Sequence, residues 1–107
     1  MPQADLSYSS QIPLDAPAVL AAIEAVISAH DGGAGACKGR AYPLEQTHHT
    51  HVQLMVRMLN KSHRDDAFMQ ALLSALEAAL RPLIPPPCIF GIELGFIERN
   101  YVSLTLE

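Results

Sequence analysis

Three groups of residues in this sequence have types and spacings suited to chemistry. The first is the pair Met1-Pro2. Proline is a small second residue, so removal of Met1 leaves Pro2 with a free secondary amine. An α-amino group has a reference pKa of about 7.7–8.0, and a dry or cationic surrounding lowers it further. A terminal proline is therefore a candidate general base near neutral pH. The second group is His48, His49 and His51, with His63 further on. On one strand His49 and His51 share a face, and imidazole is a common ligand for Zn, Cu or Ni. No Cys or carboxylate is placed by the sequence to complete a ligand shell. The expectation is therefore solvated or interface histidines, no metal site and no cofactor. The third is Cys37 beside Lys38, where the ammonium would lower a thiol pKa. No partner base accompanies it. Cys37 and Cys88 have no metal spacing, and both read as buried free thiols.

These residues need elements to position them. Ala4, Leu6 and Tyr8 alternate with Gln3, Asp5, Ser7 and Ser9, so residues 3–9 read as a half-buried strand. Asp15 is a good N-cap and Pro17 fits a first helical turn. A helix follows over 16–29, with Leu20, Ile23 and Ile27 on one side, and Asp31-Gly32-Gly33 closes it. Residues 36–44 look extended, with Pro43 at a strand end or sheet edge. Residues 49–59 form the clearest strand: Val52, Leu54, Val56 and Met58 point one way, His51, Gln53, Met55 and Arg57 the other. Ser62 reads as the cap of a second helix, with Asp65 three residues on. Phe68, Leu72, Leu76, Ala79 and Leu83 follow helical spacing, the helix running to about residue 80, and Pro82 and Pro85-Pro86-Pro87 close the segment. A fourth strand runs over 88–97, and 101–106 makes a short fifth. Tyr8 and Tyr101 could help line a pocket, but amphipathic packing is the expected role for both.

The order is β-α-β followed by β-α-β, a pseudo-repeat of residues 2–45 and 48–98 in one domain spanning 1–107. Right-handed crossovers make each unit parallel. The fold class is thus α+β, a four-stranded mixed sheet with two helices on one face. Met55, Leu59, Ile89 and Ile97 are then expected on the uncovered face, which predicts burial in an oligomer.

Composition narrows the partners. The chain has 107 residues, of which 50% are hydrophobic, enough for a core of aliphatic side chains. A formal net charge of −4 with no basic stripe argues against nucleic acid or an anionic membrane. A small anionic ligand needs only one or two local cations. No signal-like segment opens the chain and no apolar run approaches membrane length, so a soluble cytoplasmic protein is expected.

Together these residues resemble the tautomerase superfamily, in particular its 5-carboxymethyl-2-hydroxymuconate isomerase branch. The likeness is carried by three stretches: Pro2-x-x-x-Leu6-x-x-Ser9; Lys38-Gly39-Arg40; and His51-Val52-Gln53-Leu54 through Arg57, followed by Ser62 to Asp66. The resemblance implies a homotrimer with sheets around a central axis. It implies that Pro2 acts as general acid/base on an unsaturated keto or enol acid. It also implies that Lys38 and Arg40, two apart on a strand, bind substrate carboxylates. Lys38 stands where the family typically has Arg, and Ser7 where it has an acid. A non-catalytic trimeric small-molecule-binding protein of the same fold is the alternative reading.

Overall fold

Period-two alternation and two capped, leucine-spaced segments dictate a sheet with helices on one side. The computed structural model, which describes residues 1–107, has that arrangement. The elements are β1 (Gln3–Ser9), α1 (Ala16–His30), β2 (Lys38–Leu44), β3 (His51–Met58), α2 (Asp66–Leu80) and β4 (Ile89–Phe96). A single 3-10 turn, Arg81–Leu83, follows α2. The sheet order is β2-β1-β3-β4. β1 runs parallel to β2 and β3 parallel to β4, while β1 and β3 pair antiparallel at the centre. Each β-α-β unit thus contributes one central and one edge strand.

The core lies between the sheet and both helices. Val19, Ile23 and Ile27 recur every four residues on α1, as do Leu72, Leu76 and Leu80 on α2, and all six are fully or almost fully buried. They meet Ala4, Leu6, Val52, Leu54 and Val56 from the two central strands. Each such aliphatic side chain contributes roughly 1.5–3 kcal/mol by leaving water. The caps hold the helix starts. Asp15 Oδ1 accepts from the Ala18 amide at 3.1 Å, and Asp65 Oδ1 accepts from the Phe68 amide at 2.9 Å.

Four sequence expectations are corrected. The cap of α2 is Asp65, not Ser62, because residues 62–64 turn so that Arg64 points inward. His49 lies outside β3 with φ of 66°, so it does not share a strand face with His51. Residues 101–106 form no strand and no ladder. The uncovered sheet face is not a large apolar surface. It carries Gln3, Asp5, Ser7, Lys38, Arg40, Tyr42, Gln53 and Arg57, with Leu44, Met55 and Ile89 among its apolar members. Ile97 is instead buried at 8% exposure, its amide held by the Met58 carbonyl at 2.8 Å.

A buried ion pair fastens the two units. Asp31, just past α1, would face the negative end of that helix unless a cation compensated it. Arg64 does so: its Nη2 lies 2.8 Å from Asp31 Oδ2, with side chains 2% and 6% exposed. Arg64 Nη1 also donates to the Leu59 carbonyl at 2.6 Å. His63 Nε2 lies 2.9 Å from the same carboxylate, and the Gly33 amide donates to it at 3.1 Å.

Candidate functional site

The end of the sheet where β1 and β2 begin gathers the sequence-derived candidates. Pro2 leads into β1 with its ring fully buried. Its carbonyl accepts from the Lys38 amide at 2.9 Å, so Pro2 and Lys38 are neighbours across the β1–β2 ladder. The parallel register then sets Gln3 beside Lys38 and Asp5 beside Arg40. Gly39, between the two cations, faces the helices. A Cβ there would come within 3.1 Å of Leu20 Cδ2 on α1, which explains why the basic pair is separated by a residue without a side chain.

The side chains of this end form one connected network. Arg40 Nε lies 2.5 Å from Asp5 Oδ1, and its Nη2 donates to Gln3 Oε1 at 2.8 Å and to Asp5 Oδ2 at 3.3 Å. The Tyr42 hydroxyl donates to Asp5 Oδ1 at 2.9 Å, and Arg57 Nη2 stands 3.9 Å from Asp5 Oδ2. The hydrogen bond from Arg40 holds the Asp5 carboxyl below the usual carboxylate range, with Tyr42 and the nearby guanidinium charges adding to it against partial burial. Tyr42 is pushed up by the same carboxylate. Most of the Arg40 fork is therefore occupied within the chain.

Lys38 differs from the other two cations of this face. No carboxylate lies within ion-pair distance of it, whereas Arg40 and Arg57 both reach Asp5. Lys38 Nζ instead donates to the Tyr101 phenol oxygen at 3.0 Å and lies 5.7 Å from that ring's centre. Gln3 Nε2 donates to the same oxygen at 3.3 Å. Hydrogen bonding from Lys38 lowers the Tyr101 phenol pKa.

Gln3 and Asp5 carry no site role in the sequence, and Tyr101 reads there as a packing residue with a pocket wall as the alternative. Gln3 and Asp5 alternate correctly to share a face with Lys38 and Arg40, but a 35-residue separation hides that register until the strands pair. Cys37 is an unactivated thiol, as expected: burial and the Glu24 carboxylate raise its pKa, and Lys38 beside it in sequence does not offset them. Both cysteines are half-buried and free. The histidines do not converge. His48 and His49 rings sit 4.3 Å apart, His63 lies on Asp31, and no three His, Cys, Asp or Glu side chains come together in a ligand set.

The largest concavity lies elsewhere, a cleft of about 530 Å³ between α2 and β4 floored by Leu73, Ile84, Phe90 and Ile92. Its charged rim, Glu77 and Arg81, is a self-contained pair at 2.5 Å. The β1–β2 end holds Lys38 without a carboxylate partner and two donors convergent on one oxygen, which the larger cleft does not. No helix is long and apolar enough to cross a membrane.

Two β-α-β units joined by an antiparallel central pair, with a proline leading the first strand, define the tautomerase-like fold. No protein-family model matches the chain, and no curated protein does. Solved structures do. A 5-carboxymethyl-2-hydroxymuconate delta-isomerase is similar with a TM-score of 0.72 at 17% identity, over 98% of this chain and 88% of the other. A fused 4-OT described as a symmetric trimer matches with a TM-score of 0.71 at 13% identity, over 96% and 93%. A 5-carboxymethyl-2-hydroxymuconate isomerase from Deinococcus radiodurans R1 matches with a TM-score of 0.66 at 16% identity, over 99% and 90%. At these identities the likeness is one of fold.

Proposed function

We propose that this chain is an isomerase, a keto–enol tautomerase resembling 5-carboxymethyl-2-hydroxymuconate isomerase. Its substrate is a small unsaturated keto or enol acid, and no nucleic acid or membrane takes part. The whole chain acts as one tautomerase-like domain within a cytoplasmic homotrimer. With Met1 removed, the Pro2 amine takes a proton from carbon next to the carbonyl, or from a dienol hydroxyl, and returns it elsewhere on the same molecule. The resulting enolate and the substrate carboxylate are held by Lys38 and Arg40, fixed positive charge where negative charge develops. Arg40 Nη1 is the part of its fork left for the substrate. The observation that carries the reading is the Pro2–Lys38 ladder bond, which ties the candidate base to the one open cation of this face.

The test is solvent-deuterium exchange at the α-carbon of phenylpyruvate, followed by NMR, on protein whose intact mass shows Met1 absent. Pro2→Ala is expected to lower exchange by about 10²–10⁴-fold, the usual contribution of a positioned acid/base. Sedimentation of the same sample is expected at three times the 11.6 kDa chain mass. Processed protein that binds such acids and never exchanges their α-proton would end the enzymatic reading. It would leave the second one, a non-catalytic trimeric small-molecule-binding protein. That reading draws on the full burial of the Pro2 ring and on the Asp5 carboxylate already filling most of the Arg40 fork.

A further inference from the structure

We propose that Lys38 and Gln3 form a subsite for a carboxylate oxygen of the ligand, and that the Tyr101 phenol occupies it until the ligand displaces it. This deepens the reading of Lys38 above, but needs only acid binding, not proton transfer at Pro2. Two donors converge on one phenol oxygen: Lys38 Nζ at 3.0 Å and Gln3 Nε2 at 3.3 Å. An oxygen that accepts from an ammonium and an amide sits where a carboxylate oxygen would be bound more strongly, because a charged acceptor makes the shorter and stronger bond. The orientation of Gln3 follows from the network. Arg40 Nη2 donates to Gln3 Oε1 at 2.8 Å, which leaves the amide nitrogen to face the subsite. Asp5 in turn fixes Arg40. Arg40 and Asp5 are thus positioning residues for Gln3, a role distinct from direct carboxylate binding.

Little else holds the occupant. The hydrogen bonds that tie residues 98–107 to the sheet are the two to the Tyr101 phenol. Val102, Leu104 and Leu106, just beyond it, are 75%, 73% and 87% exposed. Lys38 has no carboxylate within ion-pair distance, so its charge is answered by a neutral phenol alone. A ligand carboxylate supplies the missing charge. It must compete with Tyr101, and its apparent affinity falls by the fraction of molecules in which the subsite is open.

Calorimetric titration with phenylpyruvate at neutral pH tests this on the full chain. Tyr101→Ala and Tyr101→Phe remove the competing oxygen and are expected to tighten binding about three- to tenfold. Lys38→Met is expected to weaken it tenfold or more, and Gln3→Ala by a few-fold. In protein labelled with 3-fluorotyrosine, the Tyr101 fluorine resonance, assigned by its loss in Tyr101→Phe, shifts on titration in parallel with the heat. Unchanged or weaker binding in both Tyr101 variants would overturn the proposal, as would binding indifferent to Lys38 or no binding by any variant. The exchange assay is independent of these outcomes. Tighter binding in Tyr101→Ala without α-proton exchange leaves the subsite standing and removes the tautomerase. Exchange with binding indifferent to Tyr101 does the reverse.

Discussion

Asp31 is a buried carboxylate held by three donors. Its pKa is lowered from 3.8 to about 2, chiefly by the hydrogen bond with His63, then by Arg64 and the Gly33 amide, against the opposing effect of burial. A carboxyl whose folded pKa is depressed stabilises the fold above its ordinary pKa. That stability is lost as pH falls from about 4 to about 2. The shift corresponds to roughly 2 kcal/mol. Asp31→Asn keeps the shape but leaves the Arg64 guanidinium, 2% exposed, without its counter-charge. The variant should lose about 3–5 kcal/mol at neutral pH. Its urea midpoint should also fall less steeply than wild type between pH 4 and 2, and parallel curves would remove Asp31 as the cause. In the sequence this cluster leaves one trace, an acid just past a helix C-terminus where the dipole disfavours it. The partners, 32 and 33 residues away, leave none. Pro2 and Lys38 could be singled out from residue type and motif. Gln3 could not, and Tyr101 only as one of two tyrosines able to line a pocket, because their meeting depends on a parallel register and on the path of residues 98–107.

At the level of elements the sequence was legible where period and cap coincide. β1 begins and ends at the expected residues and α1 runs one residue longer than expected. The buried stripes are shifted at their ends: Val19 rather than Leu20 joins Ile23 and Ile27, and Leu80 rather than Phe68 or Ala79 joins Leu72 and Leu76. The error at the start of α2 is instructive, since Ser62 and Asp65 both fit a capping pattern. The choice between them is made by Arg64, which must turn inward to reach Asp31 and the Leu59 carbonyl and so delays the helix. Asp65→Ala is therefore expected to cost about 1 kcal/mol in chemical denaturation, while Ser62→Ala changes little. Equal losses in the two variants would restore Ser62 as the cap. The basic-small-basic run of β2 has a comparable packing origin: α1 lies so close at Leu20 that a side chain at Gly39 would have to displace it.

For the whole molecule, the order of elements predicts the sheet, but period alone does not tell which apolar residues remain uncovered. Ile97 lies just past β4, buried with its amide on the Met58 carbonyl, and the uncovered face is mostly polar. An assembly that uses this face would therefore join networks of charge and amide rather than an oily patch. The same architecture constrains how the protein comes apart. Each β-α-β unit donates a strand to the antiparallel centre, and the Asp31–Arg64 pair locks the end of one unit's helix to the start of the other's. Neither unit can leave without stripping a central strand and exposing a buried charge. Opening should thus be global, with no partly unfolded form in which one half persists. Native-state hydrogen exchange reads this directly. The slowest amides of β1 and β3 should share one protection free energy, equal to that of complete unfolding, and two separate plateaus would mean that the halves are independent foldons.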